Sequence, residues 1–137
     1  MTDPLEFALA ECGIRQHHAL YADAVWRMDF DAFGECFTED CEWRIGGAVL
    51  HGRDEIVEHN RKLFTTRFKK LFITLRTPIL QVHADGSASG RTYFDARNLM
   101  ADGSGFAPIG LYFERFVNCG DRWRSSWRLF QTLYTGP

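Results

Sequence analysis

No apolar run in this chain approaches the roughly 18 residues that a membrane-crossing helix requires, so no such helix is expected. The opening Met1-Thr2-Asp3-Pro4-Leu5-Glu6 has neither the basic start nor the apolar stretch of a secretory signal, and the cytoplasm is the expected compartment. Neither sign of charge dominates: 16 Lys and Arg face 18 Asp and Glu, for a net charge of -2. A nucleic-acid surface would need a basic excess, so no nucleic-acid partner is expected. Cysteine is sparse. Cys12, Cys36, Cys41 and Cys119 read as reduced thiols. The Cys36–Cys41 spacing matches no metal site and no histidine pair completes one, so neither a metal nor another cofactor is expected. The four prolines mark no linker, and no repeat or low-complexity tract occurs. Gly46-Gly47 and Gly103-Ser104-Gly105 lack the strand–loop–helix setting of a phosphate loop.

What is plentiful is aromatic surface: 12 Phe, 4 Trp and 4 Tyr among 137 residues. Such side chains fill thick cores and line apolar pockets. The length suits one domain over 1–137, large enough to bury a core without disulfides.

The hydrophobic period divides the chain in two. From Leu5 to Met28 the spacing predicts a helix, with Phe7, Ala10, Ile14, Tyr21, Ala24, Val25 and Met28 on one stripe. His17 and His18 flank that stripe and are expected at the helix edge, half in solvent. Phe30, Phe33 and Phe37 predict a short helix over Asp31–Phe37. Cys41–Ile45 reads as a strand, Val49–His51 as a short return, and Glu55 to about Phe64 as a third helix capped by Asp54. The rest is extended: Leu71–Val82, Ala88–Met100, Phe106–Val117 and Trp123–Tyr134, with Asp85-Gly86 and Asp102-Gly103 as turns. Helices followed by a meander predict an α+β domain, with helices on one face of an antiparallel sheet.

Tyr21 with Asp29-Phe30-Asp31-Ala32-Phe33 and Phe37-Thr38-Glu39-Asp40-Cys41-Glu42-Trp43 resembles the opening of the SnoaL-like domains of the nuclear-transport-factor-2-like superfamily. His51-Gly52-Arg53-Asp54-Glu55-Ile56 is similar to that family's entry to its third helix. Gly90-Arg91-Thr92-Tyr93-Phe94 and Asp121-Arg122-Trp123-Arg124 resemble its later strands. The resemblance implies a cone: three N-terminal helices packed in a strongly curved, mainly antiparallel sheet that encloses an apolar pocket. It also implies a homodimer through the outer sheet face. The superfamily holds dehydratases, isomerases, cyclases, a dehydrochlorinase, dioxygenase β-subunits and binding modules, so fold does not give function. The dehydratase-like acid falls at Trp26 here. Their histidine falls in Leu71-Phe72-Ile73, where there is none. The base and second oxyanion acid of the steroid isomerases fall near Ile45 and Gly110–Tyr112, again without carboxylates.

Two residues retain chemistry. Tyr21 is a candidate oxyanion donor, and His18, one turn earlier, a candidate general base. Trp26, Trp43, Ile45, Ile73, Thr92, Phe94 and Asn98 are the expected pocket residues, with Asn98 able to bond a ligand carbonyl. Arg91, Asp95, Arg97, Glu114, Arg122, Arg124 and Arg128 read as salt bridges on an exposed or dimer-forming sheet surface. Two functions remain open. One is a cofactor-free dehydratase, isomerase or cyclase acting on an apolar cyclic molecule. The other is a non-catalytic ligand-binding or assembly module, or a structural chain like a dioxygenase β-subunit.

Overall fold

The computed structural model describes residues 3–136. Helix α1 (Pro4–Arg27) is long because nothing interrupts it. Asp3 caps it by accepting from the Leu5 N–H, and Pro4 needs no partner at the first turn. It ends where Met28 adopts a left-handed conformation, and Asp29 then caps α2 (Phe30–Gly34) through the Ala32 N–H. Strand β1 (Phe37–Ile45) and β2 (Ala48–His51) form a hairpin. Helix α3 (Arg53–Arg67) follows Gly52, without a side-chain cap. Asp54 was expected to supply that cap. It lies instead in the first turn with Glu55, where negative charge suits the helix dipole.

The remaining strands are β3 (Phe68–Lys70), β4 (Ile73–Leu75), β5 (Ile79–Val82), β6 (Ala88–Ala96), β7 (Asn98–Met100), β8 (Gly105–Phe106), β9 (Ile109–Asn118) and β10 (Trp123–Tyr134). The main sheet runs β2-β1-β10-β9-β6-β4, with β5 also paired to β6. A small second sheet runs β3-β7-β8. All pairs are antiparallel except β1 with β10. That parallel contact extends β1 back to Phe37, four residues before the expected start.

Three of the four expected long strands are shorter than the sequence reading. Leu71–Val82 is cut into β4 and β5, both laid along β6, because Pro78 has no N–H to continue the ladder. Ala88–Met100 breaks at Arg97, whose N–H bonds Phe72 O, so β7 passes to the small sheet. Phe106–Val117 breaks at Pro108. Only Trp123–Tyr134 stands as read. The short second helix also ends earlier than expected, at Gly34.

The core lies between α1, α2, α3 and the inner face of the sheet. It is mostly aromatic: Tyr21, Phe33, Phe37, Trp43, Phe64, Phe94 and Tyr112 form one cluster of buried residues. The four cysteines are free thiols. Burial pushes the Cys41 thiol up to about 12, so it stays protonated at neutral pH. No helix among the described residues is long and apolar enough to cross a membrane.

Candidate functional site

Inside the core lies a cavity of about 140 Å³. Helix α1 contributes Tyr21 and Val25 to its wall, β1 contributes Trp43 and Ile45, and α3 contributes Asn60, Leu63 and Phe64. The main sheet adds Ile73, Phe94, Ala96, Tyr112 and Phe130; the small sheet adds Phe68, Asn98 and Phe106. The inner-facing residues of adjacent strands meet here because Phe94 sits opposite Gly110, and Tyr112 opposite Phe130. Gly110 matters: a Cβ there would come within 2.3 Å of the Phe94 ring. The Phe94 ring also stacks on Tyr112, with centroids 4.8 Å apart.

Polar atoms are few in this wall. The Tyr21 and Tyr112 hydroxyls share a hydrogen bond of 3.0 Å. Burial pushes both phenols up, with the charge of Arg128 opposing it, so both are neutral near pH 7. Trp43 Nε1 and Asn98 Oδ1 are buried without a hydrogen-bond partner among the described residues. Asn60 is satisfied, its amide donating to Ile56 O at 2.7 Å.

Behind the tyrosines lies a buried charged network that the sequence reading placed on the surface. Tyr112, Glu114 and Phe116 follow period 2 on the inner face of β9, and the register sets Arg128 of β10 opposite Glu114. Both side chains are 0% exposed. Arg128 donates through Nε and Nη2 to Glu114 Oε2 at 3.0 and 2.9 Å. Ser125 donates its hydroxyl to the same oxygen, and His18 Nε2 donates to Oε1 at 2.9 Å. With its proton on Glu114, the Ser125 oxygen accepts from His17 Nε2 at 2.9 Å. Burial alone would raise the Glu114 carboxyl. Arg128 and then His18 overcome that and hold it ionised, well below the usual carboxylate range. Burial and the adjacent His18 bring His17 down to about 3, so its ring is neutral.

Four aromatic rings surround the Arg128 guanidinium, whose carbon lies 4.0 Å from the Tyr112 centroid, 4.4 Å from Tyr21, 4.7 Å from Trp43 and 5.2 Å from Phe37. Its Nη1 has no hydrogen-bond acceptor, and ring faces take that place. His17, His18 and Glu114 lie close enough to suggest a metal site, with ligand atoms within 4.8 Å of one another. The donor set does not fit one. Both histidine Nε2 atoms and both Glu114 oxygens already hold hydrogen bonds, and a guanidinium occupies the same carboxylate, where a divalent cation would be repelled.

The expected site residues therefore separate. Tyr21, Trp43, Ile45, Ile73, Phe94 and Asn98 line the cavity. Thr92 is buried opposite Tyr112 but does not line it. Trp26 is 44% exposed, packed edge-on against Phe72 with Lys70 over its ring. Five residues beyond Tyr21 it points about 140° away around the helix, out of the pocket it was expected to fill. His18 is buried rather than at the helix edge, tied to Glu114, and absent from the cavity wall. Tyr112, Glu114, Ser125 and Arg128 were missed. The available signal was the alternation Tyr112-Glu114-Phe116, which puts a carboxylate on an apolar face.

The fold has many solved counterparts. The "Putative Scytalone Dehydratase" of Novosphingobium aromaticivorans superposes with a TM-score of 0.87 at 17% identity, covering 96% of this chain and 89% of that one. The hexachlorocyclohexane dehydrochlorinase LinA-type3 of Novosphingobium barchaimii gives 0.86 at 12% identity, covering 98% and 94%. ActVI-ORFA of Streptomyces coelicolor gives 0.76 at 21% identity, covering 91% and 96%. At these identities the likeness is one of fold. No curated protein matches the sequence. The family model described as a SnoaL-like domain matches residues 7–128, and the chain belongs to that family, within the nuclear-transport-factor-2-like superfamily.

Proposed function

We propose that this protein binds a small, largely apolar, single-ring molecule in the cavity between α1 and the sheet. The observation that carries this is an apolar cavity with two unmet polar atoms, Trp43 Nε1 and Asn98 Oδ1, on wall residues. A preformed apolar cavity of about 150 Å³ is enough for benzene. At about 140 Å³ this one suits one ring rather than a fused steroid-like skeleton. A ring bearing one acceptor and one donor would satisfy the indole N–H and the amide oxygen, each costly to leave buried and unpaired. Calorimetry with cyclohexanone, phenol and a four-ring steroid tests this. The monocycles are expected to bind and the steroid to be excluded; a steroid that binds more tightly than either would overturn the reading.

One observation favours a catalytic version. The Tyr21–Tyr112 hydroxyl pair stands in the cavity wall with the Arg128 cation behind it, an arrangement suited to stabilising negative charge on a ligand oxygen. The chemistry would be a cofactor-free elimination or isomerisation beside a carbonyl; a dehydratase and a dehydrochlorinase, by name both elimination catalysts, are among the structural neighbours. His18 is not the base in this version, since its Nε2 is held by Glu114 and it does not face the ligand. Turnover of a cyclic β-hydroxyketone or an unconjugated cyclic enone decides. If the site is catalytic, Tyr21→Phe lowers kcat by about 10²–10³. If it only binds, the substitution changes affinity by about tenfold or less.

In the same reading the chain pairs with a second copy through the outer face of the sheet. There Ile79, Tyr93 and Ile109 are 52%, 41% and 41% exposed beside Phe113 and Trp127.

A further inference from the structure

A second recess lies on the other side of Ile73, between α1 and the segment that runs from β4 to Pro78. It is a cleft of about 330 Å³, within the range of small-molecule sites. Arg15 stands on its helical wall and Arg76 on the opposite one, with Thr74 and Thr77 beside Arg76 and His18 also in the lining. No carboxylate lines it. Arg15 has no ion-pair partner among the described residues. Arg76 has only a loose contact to Asp95 at 3.8 Å. Two guanidiniums, one without an ion-pair partner and one only loosely held, and two threonines thus line one recess of a chain whose net charge is negative.

His18 adds a second, independent feature. Its ring is buried, and its Nε2–H is committed to the ionised Glu114 carboxylate. In the neutral ring the proton on Nε2 leaves Nδ1 as an acceptor, and Nδ1 has no partner. A buried acceptor of this kind calls for a donor that the protein itself does not supply.

We propose that this cleft binds a small hydroxycarboxylate. Its carboxylate lies between Arg15 and Arg76, where the guanidinium fork matches carboxylate geometry. Its hydroxyl donates to His18 Nδ1, and its short carbon body lies on Ile73. This site is separate from the apolar cavity, and its ligand is an anion rather than a neutral ring.

Titration of the ¹⁵N-labelled protein with 3-hydroxybutyrate, butyrate, inorganic phosphate and chloride tests the assignment. 3-Hydroxybutyrate is expected to move the Thr74, Arg76 and Thr77 amides and the His18 ring signals, leaving those of His51, His59 and His83 in place. It is expected to bind about tenfold more tightly than butyrate, because only its hydroxyl satisfies Nδ1. Arg15→Ala combined with Arg76→Ala is expected to weaken both acids by about tenfold or more, with an unchanged circular dichroism spectrum. Equal affinities for the two acids would remove the role of His18 and overturn the proposal. So would phosphate or chloride binding as tightly as the acids, or shifts at Phe94 and Phe130 in the apolar cavity in place of the cleft.

Discussion

His17 links a single buried nitrogen to the pH dependence of the whole protein. Its pKa falls from an unfolded value of 6.5 to about 3 on folding, first through burial and then through His18. Below pH 6.5 the unfolded chain takes up a proton that the folded chain refuses. Its contribution is therefore intact above pH 6.5 and declines as pH falls toward 3, at up to about 1.4 kcal/mol per pH unit. Urea denaturation at pH 7.5 and pH 5 is expected to show this loss, and His17→Gln to flatten it. Glu114 acts in a lower window: its depressed pKa stabilises the fold above the unfolded value of 4.5, and that stability is lost only below it. Its partner Arg128 is a case where removing one charge is worse than removing two. Arg128→Met leaves the Glu114 carboxylate buried without its guanidinium, and is expected to cost about 3–5 kcal/mol. Adding Glu114→Gln should recover part of that, measured as a coupling in a double-mutant cycle.

At the scale of elements, two glycines show packing overriding local preference. Gly13 sits mid-helix in α1, where Ala would ordinarily be better by about 1 kcal/mol. A Cβ there would lie 2.4 Å from the Trp123 indole of β10. Gly13→Ala is therefore expected to destabilise the protein by about 1–2 kcal/mol net, seen as a lowered urea midpoint with unchanged slope. Gly110 lets the Phe94 ring cross β9. Gly110→Ala would push that ring toward the cavity, since Gln131 O, 3.0 Å from the new atom, blocks the other side. Cyclohexanone binding is expected to weaken about tenfold or more while the fold is retained; unchanged affinity would show that Phe94 is not the wall that matters. The apolar stripe on α1, apart from the exposed Phe7, and the Asp-Gly turns were legible because helical and hairpin signals are local. The strand breaks at Pro78, Arg97 and Pro108 were not read. The two proline breaks follow from a missing N–H, a local signal, whereas the break at Arg97 is set by a distant backbone group, its N–H finding Phe72 O.

For the molecule as a whole, the curved sheet has one face around α1 and one facing outward. The outer face carries Ile79, Tyr93, Ile109, Phe113 and Trp127, apolar surface of the kind that marks an interface. Light scattering is expected to give about twice the 15.8 kDa chain mass. Tyr93→Asp with Ile109→Asp should return it to the monomer value while leaving cyclohexanone binding intact, since neither residue lines the cavity.

The sequence by itself determined the α+β class, the order of helices before strands, the family, and Tyr21 as a residue facing inward. These rest on local periods and turn chemistry, which act over a few neighbouring residues. The burial of His17, His18, Glu114 and Arg128 was decided only by tertiary structure. So was the separation of His18 from Tyr21. A one-dimensional pattern says which face of an element is apolar, not what stands opposite it. Glu114 reads as a surface charge until the register of β9 on β10 puts Arg128 beside it and α1 brings His18 and His17 down upon both. Taking a carboxylate out of water is tolerable only when a cation and hydrogen-bond donors meet it there, and those partners come from two elements, α1 and β10, at opposite ends of the chain.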